Sequence, residues 1–303
     1  MEEYEVIYRK RSKRFIEPFD KTPLGIVCRP FYKLTFAWGC PFACDYCYLR
    51  GTFFQAKWFG RRVTIYTNMD DMLREVNRFL RNRMIKPTVL HTGELTDSLG
   101  VPEFSKILAP VIEKFAKQDR HKLLLLTKSG NVDDILDVEH GGQTVVGFSL
   151  NPPIIQHLYE HYTATTPERM LAIEKCIEAG YLTYVRIDPV IPIDGWEEYY
   201  YPLIEFVNSL SDRRELIGVT VGTIRAYSRL KRILRSDLKN MLTERDVGNR
   251  WRLPENLRLK IYEYFMSRII HPRVGVCKEE GRIWAILYRK FGKKFICNCS
   301  VNV

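Results

Sequence analysis

The stretch YKLTFAWGCPFACDYCYLRG, residues 32–51, joins a predicted β-strand to a loop that contains three cysteines. Residues 32–39 are apolar and rich in β-forming side chains, which predicts a strand. Cys40, Cys44 and Cys47 follow with three and then two residues between them. This spacing is suited to a [4Fe–4S] cluster that is bound through three thiolates and keeps one iron free of protein.

A structural zinc site is the alternative for the same loop. Tetrahedral zinc needs four ligands, usually in two pairs. The sequence offers no second C-x-x-C or H-x-x-H pair, so a zinc site would have to recruit Cys28, Cys297 or Cys299. We therefore favour the cluster and leave zinc open.

Strand-like and helix-like segments alternate along the rest of the chain. This alternation is typical of βα units around a parallel sheet. We predict an α/β fold, an incomplete (β/α)6 TIM-type barrel whose functional groups lie at the carboxyl ends of the strands. The further predicted strands are residues 87–93, 122–128, 144–150, 182–190 and 216–224.

Three parts of the chain are expected, within what is predicted to be one structural unit. Residues 1–30 form a basic N-terminal segment, and residues 31–225 form the partial barrel. Residues 226–303 form a C-terminal extension that covers the barrel opening and contributes to nucleic-acid binding. The change at residue 225 is marked by a tract dense in Arg and Lys.

Composition excludes several classes of protein. The 303 residues are 46% hydrophobic and 27% charged, which is not the composition of a disordered chain. The sequence has neither an apolar run of membrane-spanning length nor a signal-peptide core, so we expect a soluble, cytoplasmic protein. Eight cysteines in such a protein favour metal or redox chemistry over a disulfide framework.

The formal net charge of +11 suggests a polyanionic partner. Basic residues concentrate in two clusters, at 9–14 and at Arg225, Arg229, Lys231, Arg232, Arg235 and Lys239. On a helix the second cluster would form one broad face, with Tyr227 available to stack on a base. An ordinary basic surface is the alternative.

The cysteine spacing, with an aromatic residue before the third cysteine, is the signature of the radical S-adenosylmethionine superfamily. Longer blocks resemble the spore photoproduct lyase family. They are GCPFACDYCYL (39–49), LLTKSGNVDDILDVEHGGQTVVGFSLNP (125–152), AIEKCIEAGYLTYVRIDPVIPIDGWEEYYYPL (172–203) and VGVCKEEGRIWAILYRKFG (274–292). The likeness covers roughly residues 30–295.

The resemblance implies two cofactors, a [4Fe–4S] cluster and S-adenosylmethionine. It also implies a reduced cluster that cleaves the cofactor to a 5′-deoxyadenosyl radical, DNA lesion repair, and an electron donor such as flavodoxin or ferredoxin. Lys128 would pair with the cofactor carboxylate, Ser149 and Asn151 belong to the cofactor-binding block, and the backbone at Asp188 would meet the adenine. Tyr48, with Tyr46 beside it, would be the hydrogen-atom relay.

The sequence departs from the family at one position. The family carries a donor cysteine after its second strand, and Glu94 stands there in HTGELTDSLG (91–100). Gly93 and Glu94 instead resemble the Gly–Glu motif that holds the cofactor ammonium, a role that Asp97 would share unless it caps the next helix.

The missing thiol leaves other possibilities open. Cys297 or Cys299 would supply the hydrogen atom, or the substrate is RNA or a peptide. A metal held by Cys277, Cys297 and Cys299 is a weaker alternative. A non-catalytic, metal-containing nucleic-acid-binding protein is the last, although it would need neither Glu94 nor Lys128.

Overall fold

The computed structural model describes residues 4–19, 22–52 and 59–292. Among these residues the strands are β1 (Glu5–Arg9), β2 (Ile16–Phe19), β3 (Phe31–Leu34), β4 (Ala37–Trp38), β5 (Arg62–Tyr66), β6 (Val89–His91), β7 (Lys122–Thr127), β8 (Thr144–Ser149), β9 (Leu182–Val190), β10 (Leu216–Thr223), β11 (Arg225–Ala226), β12 (Glu244–Arg245), β13 (Trp251–Arg252) and β14 (Val274–Val276).

The helices of the same residues are α1 (Leu49–Thr52), α2 (Met69–Arg81), α3 (Glu103–Ala116), α4 (Asp133–Leu136), α5 (Pro153–Tyr159), α6 (Thr166–Glu178), α7 (Trp196–Ser209), α8 (Ser228–Ile233), α9 (Ser236–Met241), α10 (Glu255–Arg268) and α11 (Gly281–Phe291). Within the described ranges, no helix is long and apolar enough to cross a membrane.

The central sheet has eight strands in the order β14-β10-β9-β8-β7-β6-β3-β2. Neighbouring strands from β14 to β3 are parallel, and β2 alone pairs in the antiparallel direction. Every residue of β8 is buried, because α3 and α6 pack against the strand and side chains of neighbouring strands, such as Leu124 and Tyr184, pack with Val145 in a separate cluster. The predicted α/β class with a mostly parallel sheet is confirmed.

Two smaller sheets flank the central one. In the first, β1 and β4 pair with β5 in the order β1-β5-β4. In the second, β11, β13 and β12 form an antiparallel sheet beside α8 and α9. Residues 4–19 and 225–252 therefore contribute strands of their own, which the sequence did not indicate.

The strand predicted at residues 32–39 is wrong as a single element. The chain leaves the central sheet after Leu34, and β4 pairs with β5 instead. Phe36 lies at the switch, fully buried, with its ring 4.8 Å from that of Phe104 in α3. Burial of this ring turns the backbone away from the central sheet.

The basic tract does not form the single helix that the predicted broad basic face required. Arg225 lies in β11, α8 ends at Ile233, and α9 begins at Ser236. Leu234 between the two helices is extended and buried, and Leu238 is fully buried. The turn brings both leucines into the core and distributes the cations over two short helices.

Candidate functional site

A cavity of about 450 Å³ lies among the loops that follow the carboxyl ends of the parallel strands. Its volume is in the range of small-molecule sites. Eleven of the twelve predicted site residues line it, namely Cys40, Cys44, Tyr46, Cys47, Tyr48, Gly93, Glu94, Asp97, Lys128, Ser149 and Asp188. Asn151 is fully buried behind the wall.

The three-cysteine loop is fixed by main-chain hydrogen bonds. Asp45 N donates to Tyr159 O (2.9 Å), and Ala43 N donates to His161 O (3.0 Å). Cys47 N closes a turn on Cys44 O (3.1 Å). The carbonyl groups of the two residues next to Glu160 therefore hold the three-cysteine loop in place.

The three cysteine side chains of the loop line the cavity. Burial raises the pKa of Cys40 and Cys44 well above the usual range and that of Cys47 to about 11, so cation binding must displace protons here. Across residues 4–19, 22–52 and 59–292, no three His, Cys, Asp or Glu side chains converge on one ion. In a cluster held by this loop, each of the three thiolates would bind a different iron.

Glu160 is fully buried behind the lining residues Tyr46 and Lys128 and binds several polar side chains, and the sequence did not reveal it. Arg169 lies 2.6 Å and Lys128 3.3 Å from its carboxylate. Asn151 Nδ2 donates to it at 2.8 Å, and the Tyr46 hydroxyl also donates to it. Burial alone would raise the pKa of Glu160, but the two cations outweigh burial and hold it well below its usual range.

Lys128 directly follows β7 and Ser149 ends the neighbouring strand β8, so their side chains meet. Lys128 Nζ donates to Ser149 Oγ at 2.6 Å, and Ser149 Oγ donates to Asp188 O at 3.4 Å. One ammonium, one hydroxyl and one carbonyl thus lie together on the wall. Such a group can pair with a carboxylate and hydrogen-bond a polar ligand.

Asp97 lines the cavity, but its carboxylate already accepts hydrogen bonds from three protein groups. Its carboxylate accepts from Thr127 Oγ1 (2.6 Å), Lys128 N (2.7 Å) and Leu99 N (3.0 Å). These bonds join the loop after β6 to the end of β7. The geometry therefore favours a structural role over the predicted share in cofactor binding.

Gly93 and Glu94 form the wall next to Tyr48. A Cβ on Gly93 would lie 2.9 Å from Leu126 Cβ, so the close approach to β7 requires glycine. The Tyr48 hydroxyl donates to Glu94 O and lies 3.4 Å from Glu94 Oε2. The Tyr48 ring is 43% exposed, whereas the Tyr46 ring is buried and its hydroxyl binds Glu160.

Buried His91 stands behind Glu94. Its Nδ1 accepts from Gly93 N at 2.9 Å, and its Nε2 lies 3.8 Å from Glu94 Oε1. Burial lowers the pKa of His91 to about 4, so the imidazole is neutral near pH 7. The neutral His91 thus forms no ion pair with Glu94, which lines the cavity.

Two arginines bind the side chain of Asp188. Arg225 Nη1 lies 2.8 Å from Oδ1, and Arg186 Nε donates to Oδ2 at 3.0 Å. Burial would raise the pKa of Asp188, but Arg225 and then Arg186 outweigh it and lower the pKa below its usual range. Both oxygens of the Asp188 carboxylate thus bind arginine side chains, and the Asp188 backbone is the part available to a ligand.

Comparison with known proteins supports the same assignment. The family model for spore photoproduct lyase matches residues 28–247. The chain is 29% identical over 193 residues to a spore photoproduct lyase of Clostridium acetobutylicum, covering 62% of this chain and 56% of that protein. It is 30% identical over 174 residues to that of Bacillus subtilis, covering 57% and 50%.

A solved structure shares the fold. It is a spore photoproduct lyase mutant with bound AdoMet and dinucleoside spore photoproduct, with a TM-score of 0.72 and 21% identity over 89% of this chain and 81% of that chain. The fold and the three-cysteine loop define a radical S-adenosylmethionine protein, a class that uses a [4Fe–4S] cluster and S-adenosylmethionine. The chain belongs to the spore photoproduct lyase family. It spans about half the length of the curated relatives it matches.

Proposed function

We propose that this protein is a radical S-adenosylmethionine enzyme that repairs a lesion in DNA. The observation that carries the proposal is that three cysteines line the same cavity as Lys128, Ser149 and Glu94. A bound cluster and S-adenosylmethionine would supply a 5′-deoxyadenosyl radical able to abstract hydrogen from the substrate. A protein that only bound nucleic acid would not need the polar wall opposite the cysteines.

The roles of the side chains follow from their chemistry. Cys40, Cys44 and Cys47 hold the cluster as thiolates. Lys128, kept in place by Ser149 and Glu160, pairs with the cofactor carboxylate. Gly93 and Glu94 receive its ammonium, and the backbone at Asp188 meets the adenine. Asn151 acts behind the wall through Glu160.

Tyr48 is the phenol placed to exchange a hydrogen atom with the substrate, because its ring faces the cavity. The enclosing wall and then the Glu94 carboxylate raise the pKa of Tyr48 well above its usual range, so the phenol keeps its proton. Tyr46 has its hydroxyl on Glu160, and we assign it a supporting role.

Charge supports a nucleic-acid substrate. Cations outnumber carboxylates among the charged lining residues, which are Lys33, Lys128, Arg186, Arg225, Arg250 and Lys278 against Glu94, Asp97 and Asp188. Tyr227, at the start of α8, lines the cavity and is 52% exposed, so it can stack on a base. A related structure holds a dinucleoside spore photoproduct, which supports a nucleic-acid substrate, and we propose DNA rather than RNA.

The remaining assignments complete the proposal. The central sheet would close as an incomplete (β/α)6 barrel over residues 31–225, with residues 1–30 as a basic segment and residues 226–303 as the cover. A flavodoxin- or ferredoxin-like protein would deliver the electron, and the enzyme would work in the cytoplasm. Cys297 and Cys299 lie outside the described residues.

Anaerobic reconstitution with iron and sulfide tests the proposal. The reduced protein should convert S-adenosylmethionine to 5′-deoxyadenosine, and Cys40→Ala should abolish both this product and the cluster absorbance. Cys176→Ala is the matched control, because Cys176 is buried in α6. If the wild-type protein gives no 5′-deoxyadenosine, or if Cys40→Ala keeps the cluster, the proposal is wrong.

A further inference from the structure

His91 is a buried histidine at the carboxyl end of β6, directly before the loop that carries Gly93 and Glu94. Only 1% of the residue is exposed. The ring of Phe31 packs 5.4 Å from the imidazole, and a Cβ at position 93 would lie 3.2 Å from His91 Cε1. These contacts hold the imidazole in place behind the cavity wall.

The hydrogen bond from Gly93 determines which ring nitrogen carries the hydrogen. Gly93 N donates to His91 Nδ1 at 2.9 Å, so Nδ1 presents a lone pair. A neutral imidazole then carries its hydrogen on Nε2. Burial lowers the pKa of His91 to about 4 against the opposing charge of Glu94, and the nearby cations Arg186 and Lys278 add to this lowering. Near pH 7, His91 is therefore a neutral, buried N–H donor at Nε2.

This N–H group lacks a hydrogen-bond partner. Across the described ranges, no acceptor lies within hydrogen-bond distance of His91 Nε2. Glu94 Oε1 is 3.8 Å away. Native structures rarely leave a buried donor unsatisfied, because the group loses its bond to water without gaining another. A shift of Glu94 Oε1 by about 0.8 Å would bring it to the ordinary N–H···O distance of about 3.0 Å.

The Glu94 carboxylate lies between His91 and Tyr48. Its Oε1 is the oxygen nearer His91, and its Oε2 is 3.4 Å from the Tyr48 hydroxyl. That hydroxyl already donates to Glu94 O, so the Nε2–H of His91 is the donor still to be satisfied. A carboxylate has about four lone-pair sites, so Glu94 can accept from His91 and still bind a ligand ammonium in the cavity that it lines.

We propose that His91 is a positioning residue for Glu94, with its Nε2–H donating to Oε1 so that the carboxylate is held toward the cofactor ammonium. The inference rests on the proposed function, in which Gly93 and Glu94 receive that ammonium. An apolar side chain would fill the same buried space without an unpaired donor, so packing alone does not account for a histidine here.

Two amide variants separate the two ring nitrogens. The amide of Asn reaches the place of Nδ1, and the amide of Gln reaches the place of Nε2. His91→Gln can therefore still donate to Glu94, whereas His91→Asn can only accept from Gly93 N. We expect the reconstituted His91→Asn holoprotein to bind S-adenosylmethionine about tenfold more weakly than wild type in equilibrium dialysis, and His91→Gln to bind it nearly as tightly as wild type. Equal binding by the two variants, or the reverse order, would overturn the proposal.

A double-variant cycle tests whether His91 acts through Glu94. In a Glu94→Ala background, His91→Asn should cost little further affinity, because no carboxylate remains to be positioned. A further tenfold loss in that background would overturn the proposal.

His121→Asn is the matched control for the loss of a buried histidine. His121 is fully buried directly before β7, at the opposite end of the sheet from the cavity. This variant should bind S-adenosylmethionine like wild type. If it binds as weakly as His91→Asn, the loss reflects general damage and the proposal is wrong.

A second measurement reads the histidine directly, without catalysis. Nitrogen-15 NMR of the holoprotein at pH 7 should show His91, assigned by its loss in His91→Asn, as a neutral ring with its hydrogen on Nε2. The Nε2 resonance should shift when S-adenosylmethionine is added. A hydrogen on Nδ1, or an Nε2 resonance that does not respond, would refute the role. If wild type binds no S-adenosylmethionine, the proposed function fails as well; if wild type binds it and only the His91 results fail, the proposed function stands.

Discussion

Glu160→Gln should destabilise the protein more than any other neutral replacement of a single carboxylate on this wall. The substitution removes the charge that faces Arg169 and Lys128 in a fully buried position. Breaking a buried ion pair typically costs about 3–5 kcal/mol. Arg169 keeps the carbonyls of Ala164 and Ser149 as acceptors, so we expect the lower end, about 3 kcal/mol.

The assay is urea unfolding of the protein at pH 7, followed by circular dichroism under anaerobic conditions. A loss of about 3 kcal/mol corresponds to a fall in Tm of about 5 °C for a chain of 303 residues. Glu178→Gln is the matched control, since Glu178 is an exposed residue at the end of α6. A Glu160→Gln variant within about 0.5 kcal/mol of wild type, like this control, would refute the reasoning.

The difference in unfolding free energy between wild type and Glu160→Gln should also depend on pH. The pKa of Glu160 is lowered from an ordinary value of 4.5, so the folded state favours the ionised carboxylate. Its contribution to stability is complete above pH 4.5 and is lost as the pH falls below that value. The difference in unfolding free energy between wild type and Glu160→Gln should therefore shrink between pH 5 and pH 3. A constant difference would mean that the charge of Glu160 is not what stabilises the fold.

Three further changes have distinct expected outcomes. Tyr48→Phe should leave 5′-deoxyadenosine formation intact. The amount of repaired product formed per 5′-deoxyadenosine, measured by chromatography, should fall about tenfold, and an unchanged ratio would exclude Tyr48 as the hydrogen-atom relay. Asp97→Asn should cost about 2–3 kcal/mol in urea unfolding, because the new amide directs N–H at donors that now bind the carboxylate, and a neutral effect would contradict this. The double variant Arg229→Gln, Arg232→Gln should bind oligonucleotides more weakly, and the slope of log binding constant against log salt concentration should fall by about two. The control Arg214→Gln, which lies at the other end of β10, should change neither quantity.

The parts of the fold that the sequence predicted well are those governed by local pattern. The buried strands β7, β8 and β10 are mainly apolar, β9 has apolar residues on both sides of Arg186, and each of the four was predicted within about one residue. β14 has only three residues and β2 contains Pro18, so neither produces a strong pattern. The break after Leu34 depends on the tertiary burial of Phe36, which no local signal reports.

The site residues also divide into those that the local sequence pattern predicts and those that depend on tertiary contacts. Lys128 and Ser149 could be placed together because adjacent parallel strands end at the same edge. Glu160 could not be predicted, because its role depends on four partners, of which Tyr46 and Lys128 come from distant segments. An acidic residue inside the aromatic run LYEHY (158–162), between two helices, is the one hint the sequence contains. Cys277 was visible as a cysteine, but its position in the cavity lining depends on the pairing of β14 with β10.

The central claim is that three cysteines leave one iron free for the cofactor, and electron paramagnetic resonance tests it most directly. The reconstituted, dithionite-reduced protein should give a [4Fe–4S]⁺ signal that changes when S-adenosylmethionine is added, because the cofactor binds the free iron. The change should weaken in Lys128→Met, which lacks the ammonium. A signal unaffected by S-adenosylmethionine, or a protein that binds zinc and forms no cluster, would contradict the account.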